Sequence, residues 1–303
     1  MTTLSKKIDF AVIVTVQHAN PNGDPLNGNR PRVTYEGYGE LSDVSIKRKI
    51  RNRLMEMRKP IFVQSDDNKV DDYKSLRERA EGTLKGVDMG DKKKFQEAAC
   101  KTWLDVRAFG QVFAFKAKKG KKSEGEEDSD GVSIPVRGPV SVHPAFSVAP
   151  VLDRTSSIQI TKSVSGETGE KDKRASDTMG MKHRVDHGVY VFYGSMNPQL
   201  ASKTGFSDED AQAIKESLRT LFRNDASSAR PEGSMTVHKV YWWEHNSHNG
   251  QYSSAKVHNA VRSKVGLKQG ITEPKSIDDY TFPTKEEVER ELLGLKCEVL
   301  DGE

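Results

Sequence analysis

Asparagine, glycine and arginine crowd one stretch, Asn20-Pro-Asn-Gly-Asp-Pro-Leu-Asn-Gly-Asn-Arg30, and basic residues crowd another, Lys47-Arg-Lys-Ile-Arg51. These residue types suit the holding of a polyanion better than the breaking of a bond. Glycine lets a backbone approach a ligand closely. Asparagine amides, backbone N–H groups and a helix N-terminus all donate toward phosphate oxygens. Asn20, Asn22, Asn27, Asn29, Arg30 and Arg32 would then line one edge of a groove, and Lys47, Arg48 and Arg51 the next. Such contacts position a nucleic-acid backbone without reading its sequence. A basic helix face ordinarily only keeps a helix soluble. Here the density of charge, opposed within the helix by Asp43 and Glu56 alone, favours a ligand.

A second basic constellation holds Arg154, Lys162, Lys171, Lys173, Arg174, Lys182, His183 and Arg184, with Met179 and Met181 as an apolar pair. An arm of this composition could lie over a bound strand and wedge an apolar side chain between bases. His183 and His187 flank Asp186, but Val185, Val189 and Val191 indicate a strand and no third ligand is near, which argues against a metal. The same holds for His245 and His248, read as part of a polar turn. Trp242 and Trp243 are adjacent on a strand and face opposite sides, so one is expected in a core and the other exposed for stacking or subunit contact. The chain has no Walker A, G-x-S-x-G or H-E-x-x-H motif. Asp24 and Asp43 flank the groove and could bind Mg²⁺ near a phosphate; they also suit a turn and a helix cap.

The elements that must position these residues can be read from periodicity. Phe10, Val12, Val14 and Val16 share one face of a strand over 8–17. Ser42 or Asp43 caps a helix to about Arg58, with Ile46, Ile50, Leu54 and Met57 as its apolar stripe. Residues 60–135 read as a polar insertion with a helix from Lys92 to Leu104 and no core of its own. Its blocks KAKKGKK and EGEEDSD have the composition of a solvated loop. Further strands are expected over 132–142, broken at Gly138-Pro139, then 185–194 and 236–244. A hairpin falls near 154–182, and a helix opens at Ser207 with a capping-box pattern. Beyond 250 the sequence reads as a polar tail with a helix at 284–294. Without the insertions the order is β-α-β-β-α-β, an α+β fold with an RRM- or ferredoxin-like core. That topology serves many functions.

The 303 residues carry a net charge of +4 and are 34% hydrophobic and 30% charged. A mild overall excess says little; the local basic stripe sets phosphate affinity. Cys100 and Cys297 form no C-x-x-C pair, so neither a disulfide framework nor a zinc knuckle is expected. The apolar run Ile8–Val16 is short and holds Asp9 and Thr15, which reads as a strand and not a signal peptide. No segment reaches membrane-spanning length. The expectation is a cytoplasmic protein with no cofactor and no membrane partner.

Several ordered blocks resemble a known family. They are Asn20-Pro-Asn-Gly-Asp-Pro25, Ser42-Asp-Val-Ser-Ile-Lys-Arg-Lys-Ile-Arg-Asn52, Asp105-Val-Arg-Ala-Phe-Gly110, Val136-Arg-Gly-Pro-Val140, the run from Met181 through Ser195, and Phe222 to Met235. Together they are similar to the crRNA-binding backbone subunit of the type I-C CRISPR Cascade complex, in the RAMP superfamily. The resemblance runs to about residue 245. It implies a palm from 1–59, 136–153 and 183–249, a finger-like insertion at 60–135, a thumb β-hairpin at 154–182, and a C-terminal tail at 250–303. It adds Ser45 and Arg137 to the candidate RNA contacts. It also implies a non-catalytic protein that oligomerises along guide crRNA and leaves bases free to pair with target DNA. Implied partners are further copies of itself, the Cascade capping and large subunits, and a recruited helicase-nuclease. Two other readings stay open: a metal-dependent RNase using Asp24 or Asp43, as in a related type III family, and a monomeric RRM-like RNA-binding adaptor.

Overall fold

The computed structural model describes residues 2–88, 90–115, 132–151, 155–162 and 178–303. Strand β1 (Ile8–Ala19) leads into two-residue strands β2 (Gly23–Asp24) and β3 (Arg30–Pro31), then β4 (Tyr38–Leu41) and helix α1 (Asp43–Glu56). The insertion contributes α2 (Leu76–Thr83), α3 (Lys92–Thr102), α4 (Leu104–Phe109), β5 (Gly110–Phe115) and β6 (Val132–Arg137). There follow β7 (Val140–Val142), β8 (Ala145–Pro150), β9 (Thr155–Lys162), β10 (Thr178–Met196), α5 (Pro198–Thr204), α6 (Asp208–Arg219) and β11 (Met235–Glu244). The last segment holds α7 (Ser254–Arg262), β12 (Gly266–Leu267), β13 (Tyr280–Thr281), α8 (Lys285–Glu291) and β14 (Cys297–Asp301).

The main sheet is antiparallel, in the order β14-β11-β1-β10-β8-β4, with β7 and β9 also paired to β10. β1 lies near its middle because both its faces are apolar. Phe10, Val12, Val14 and Val16 point into a core closed by Ile46, Ile50 and Leu54 of α1 and Ala211, Ile214 and Leu218 of α6. Ala11 and Ile13 point the other way, into a second core with Tyr241, Trp243, Val257, Val261, Val288 and Leu292. The expected mixture of helix and antiparallel sheet is therefore present. β1, α1, β8, β10, α6 and β11 follow the chain order β-α-β-β-α-β.

The structure corrects four sequence expectations. First, residues 250–303 are no mere tail: α7 and α8 cover the second face of the sheet, and β14 extends it beside β11. Second, and for that reason, neither tryptophan is exposed. Trp242 stacks on Phe10 at 5.9 Å between ring centroids, and Trp243 on Tyr241 at 6.2 Å. Third, the insertion has its own small core. Phe62, Trp103, Phe95 and Phe113 meet with centroids 4.7–5.1 Å apart, backed by Leu84, Cys100 and Ile134. Fourth, the strand expected over 132–142 belongs to two sheets. β6 pairs with β5 inside the insertion, and β7 joins the main sheet. Gly138 lies at that crossover, where a Cβ would meet the Ala108 carbonyl at 2.2 Å, so the backbones cross too closely for any side chain.

Two ion pairs bolt the insertion to the helices packed on the main sheet, α6 and α1. Arg107 grips Asp210 with both Nε and Nη2 at 2.8 Å. Asp210 also completes the capping box with Ser207 at the start of α6, as the sequence pattern indicated. Arg51 on α1 donates to Asp105 at 3.0 Å, and Asp105 in turn accepts from the backbone N–H groups of Phe62 and Val63. The block Asp105-Val-Arg107 thus carries both anchors.

Candidate nucleic-acid interface

β1 ends at Ala19, paired with Val185 of β10, and the Asn/Gly stretch follows directly at that end of the sheet. The Asn/Gly stretch is a small hairpin: β2 pairs with β3, and Gly28 and Asn29 turn it with φ of 58° and 57°. Successive left-handed residues at Gly28 and Asn29 make the hairpin turn. Several of its polar groups face inward. Asn20 is buried and donates through Nδ2 to the Asn29 carbonyl at 2.7 Å. Asn22 Oδ1 accepts from the Ser42 N–H at 2.9 Å, next to the Ser42 hydroxyl that caps α1. Asn27, Asn29 and Arg30 are exposed at the tip.

α1 is basic in composition but largely neutralised. Lys47 pairs with Asp43, Lys49 with Asp225, Arg51 with Asp105 and Arg53 with Glu56. The expectation of nearly unopposed charge fails because two of these carboxylates arrive from distant parts of the chain. Arg51 belongs to the fold, its guanidinium over the Phe109 ring at 5.2 Å. Arg48 differs. It donates to the Val63 carbonyl at 3.0 Å and has no carboxylate within ion-pair distance among the described residues. Burial, and then the charge of Arg51, lower its pKa.

Arg48 opens onto a polar cleft of about 540 Å³. One wall is a stripe of α1 at helical spacing: Ser45, Arg48, Lys49, Asn52 and Glu56. The facing wall is the turn from Asn224 to Arg230, with Asn22 and Gly23 at one end and Ser65, Asp67 and Asn68 at another. That turn is stapled: the Ser227 N–H donates to the Arg230 carbonyl at 2.8 Å, and the Arg230 N–H to that of Ser227 at 3.1 Å. It hangs on the residue just past β1, where the Asn20 N–H donates to the Ala229 carbonyl at 2.9 Å. Asp225 accepts from both Lys49 and Arg230 Nε, fixing the Arg230 guanidinium over the cleft. Burial pushes Lys49 down to about 8, against the pull of Asp225.

Of the candidate residues, the cleft gathers Asn22, Ser45 and Arg48. Arg30 lies by the foot of β10, where burial and then the Arg30 charge lower the pKa of His183. Arg184 donates to Asp186 at 3.0 Å, and Lys182 is partly exposed on the same strand. Arg32 sits 3.7 Å from Asp24, whose carboxylate accepts from the Leu26 N–H. Arg137 is exposed at the end of β6 opposite Gly110, away from the cleft. Lys162, Met179 and Met181 lie on the β9–β10 hairpin, in register with Thr178, Thr161 and Gln159. Arg154, Lys171, Lys173 and Arg174, and the charged blocks at 116–130, lie outside the described residues. The sequence reading missed Asn52, Asn68, Asn224, Asp225, Ser227 and Arg230. The signals were present: a polar stripe at 45, 48, 52 and 56, and the dense run Arg223-Asn-Asp-Ala-Ser-Ser-Ala-Arg230.

A family model described as CRISPR-associated protein Cas7 matches residues 6–285. The chain belongs to the Cas7 family. A curated relative from Haloferax volcanii, a CRISPR-associated protein Cas7, is 27% identical over 232 residues, 75% of this chain and 67% of its own. Among solved structures, a chain of a pre-nicking CRISPR RNA-guided surveillance complex aligns at a TM-score of 0.47 and 15% identity, over 94% of this chain and 87% of that one. A second CRISPR RNA-guided surveillance complex gives a TM-score of 0.38 and 17% identity, over 78% and 68%.

The second face of the sheet in this Cas7-family chain holds a buried ionic cluster. Asp9 is fully buried and meets Lys7 at 3.1 Å, His245 Nε2 at 2.8 Å and His258 Nε2 at 3.5 Å. Burial alone would raise its pKa; hydrogen bonds from His245, His258 and Ser254 and the charge of Lys7 overcome that and hold it well below the carboxylate range. His245, expected in a polar turn, is therefore an internal anchor tying the C-terminal segment to β1. Among the described residues no cluster of three His, Cys, Asp or Glu side chains could hold a metal, and no helix is long and apolar enough to cross a membrane.

Proposed function

We propose that this chain is the non-catalytic crRNA-binding backbone subunit of a Cascade complex of type I-C, oligomerising along a guide RNA. The observation that carries the reading is the polar cleft at the end of β1. It presents Arg48 and Arg230 with Ser45, Asn52, Asn68, Asn224 and Ser227, groups suited to phosphate and sugar and not to any one base. The sealed second face supports the same view. RRM-type proteins stack bases on an open sheet, and here that face is covered by α7 and α8. The contact falls on the strand's backbone, and the bases stay available to pair with target DNA.

In this reading β1, α1, β8, β10, α6 and β11 form an RRM/ferredoxin-like palm. Residues 60–135 form the finger-like insertion, 154–182 the thumb hairpin. Arg30, Lys182, His183 and Arg184 continue the basic track toward the hairpin, and Lys162, Met179 and Met181 lie along it. Neighbouring copies, the capping and large subunits, and a helicase-nuclease complete the assembly in the cytoplasm. The RNase reading has less support, because Asp24 accepts from the Leu26 N–H and Asp43 is paired with Lys47.

The test is stoichiometry against RNA length. Copies bound per RNA rise in proportion to length for a backbone subunit, and stay at one per short site for a monomeric adaptor. Reversing charge at Arg48 together with Arg230 abolishes retention while the fold survives. Unchanged retention removes the cleft from the reading.

A further inference from the structure

We infer that Asn52 reads the ribose 2′-hydroxyl of a strand lying in the cleft, and so makes this site select RNA over DNA. The inference rests on the reading of the cleft as an RNA-backbone site. Its observation is a mismatch in the cleft's hydrogen bonds. Acceptors on three neighbouring cleft side chains are engaged. Glu56 accepts from Arg53 and from Asn224 Nδ2, Asp225 from Lys49 and Arg230, and Asn22 Oδ1 from the Ser42 N–H. Asn52 Oδ1 is buried and has no hydrogen-bond partner. Among the cleft-lining side chains it is the buried acceptor left open.

A buried acceptor without a donor costs stability, so such a group is expected to meet one when the site is filled. Phosphate cannot supply it, because its oxygens are acceptors. Base N–H groups differ from one nucleotide to the next, whereas a 2′-hydroxyl recurs on every ribonucleotide and on no deoxyribonucleotide. Asn52 lies one turn along α1 from Arg48, on the same stripe. The terminal amide torsion of asparagine is broad, so a modest turn presents Oδ1 to a sugar beside a phosphate held by Arg48. The arginine would hold the phosphate, and the amide would test the sugar attached to it.

The experiment compares binding of one oligonucleotide sequence as ribose, 2′-deoxy and 2′-O-methyl strands, to wild type, Asn52→Leu and Arg48→Glu. Both modified strands lack the donated hydrogen. Wild type binds the ribose strand more tightly than either, by roughly tenfold per engaged copy. Asn52→Leu, which keeps the bulk and loses the acceptor, weakens the ribose strand alone and brings the three affinities together. Arg48→Glu weakens all three alike. If Asn52→Leu lowers all strands equally, or none, while Arg48→Glu still acts, the inference falls and the RNA-backbone reading stands. If wild type binds no strand, both fall. Because the modified strands test the hydroxyl on unaltered protein, equal wild-type affinity for all three overturns the inference even should Asn52→Leu fail to fold.

Discussion

Helix α1 meets two different neighbours along its two polar flanks. On the insertion side, Arg51 is nearly buried against a buried Asp105, which itself holds two backbone N–H groups. On the cleft side, Ser45, Arg48 and Asn52 share a wall with hydrogen-bonding capacity left over. Arg48 and Arg51 lie three positions apart, yet one cation faces the polar cleft and the other is a strut. The lesson is that a basic sequence is not a basic surface. What decides is whether a carboxylate from elsewhere in the chain comes to meet the charge.

The sharpest way to break this contrast is to remove the strut. Arg51→Ala leaves Asp105 buried and unpaired, and is expected to cost about 3–5 kcal/mol of stability, seen as a lower midpoint in denaturant melts. Arg48→Ala should leave that midpoint nearly unchanged; equal losses would dissolve the distinction between the flanks. The cleft side is tested by affinity. Arg48→Ala and Arg230→Ala should each weaken RNA binding by roughly 10- to 100-fold, the range for hydrogen bonds to a charged group, measured by filter binding at fixed salt. Each should also flatten the dependence of log K on log salt by about 0.7. Asp225→Asn should follow Arg230→Ala if Asp225 acts by orienting that guanidinium.

The pH dependence of Lys49 sharpens the same comparison. Its pKa is about 8 in the folded chain, against an ordinary 10.5. Between those values the unfolded chain holds more protons, so this residue makes stability rise with pH from about 8 toward 10.5. Other groups titrate there too: burial raises Cys100 to about 11 and Cys297 to about 12, which acts in the opposite sense. The measurement is therefore the difference between the wild-type and Lys49→Met stability profiles. A flat difference across this window would place the lysine outside the buried pair. The smallest effect is expected at Lys47, whose partner Asp43 is one helical turn away. Lys47→Ala should shift stability by no more than about 0.5 kcal/mol.

The central strands and both helices of the first layer were legible because their apolar periodicity is strong over eight or more residues. Ser207 and Asp210 even marked the first turn of α6. In the C-terminal layer the helix at 284–294 was legible and is α8, but the layer as a whole was not. Val257, Val261, Val288 and Leu292 are few and set among polar residues, so the average composition hides the stripes they form. The site was half legible for a related reason. Asn22, Ser45 and Arg48 announce themselves locally, but the wall they face comes from Asn224 to Arg230, more than 170 positions away. No local pattern says that Asp225 will neutralise Lys49 or that Asp105 will neutralise Arg51. The aromatic core of the insertion escaped notice because its rings, Phe62, Phe95, Trp103 and Phe113, are scattered over fifty residues.

The covered second face has a consequence for biosynthesis. Residues emerge from the ribosome in order, and Ile13, Tyr241 and Trp243 are made before the helices that cover them. Until α7, α8 and β14 have followed, the nascent sheet has one finished side and one open apolar side. During that interval it offers a surface for chaperones and for aggregation alike. Asp9 waits in the first strand for His245 and His258, residues synthesised more than 230 positions later. Their arrival latches the last layer onto the first strand made.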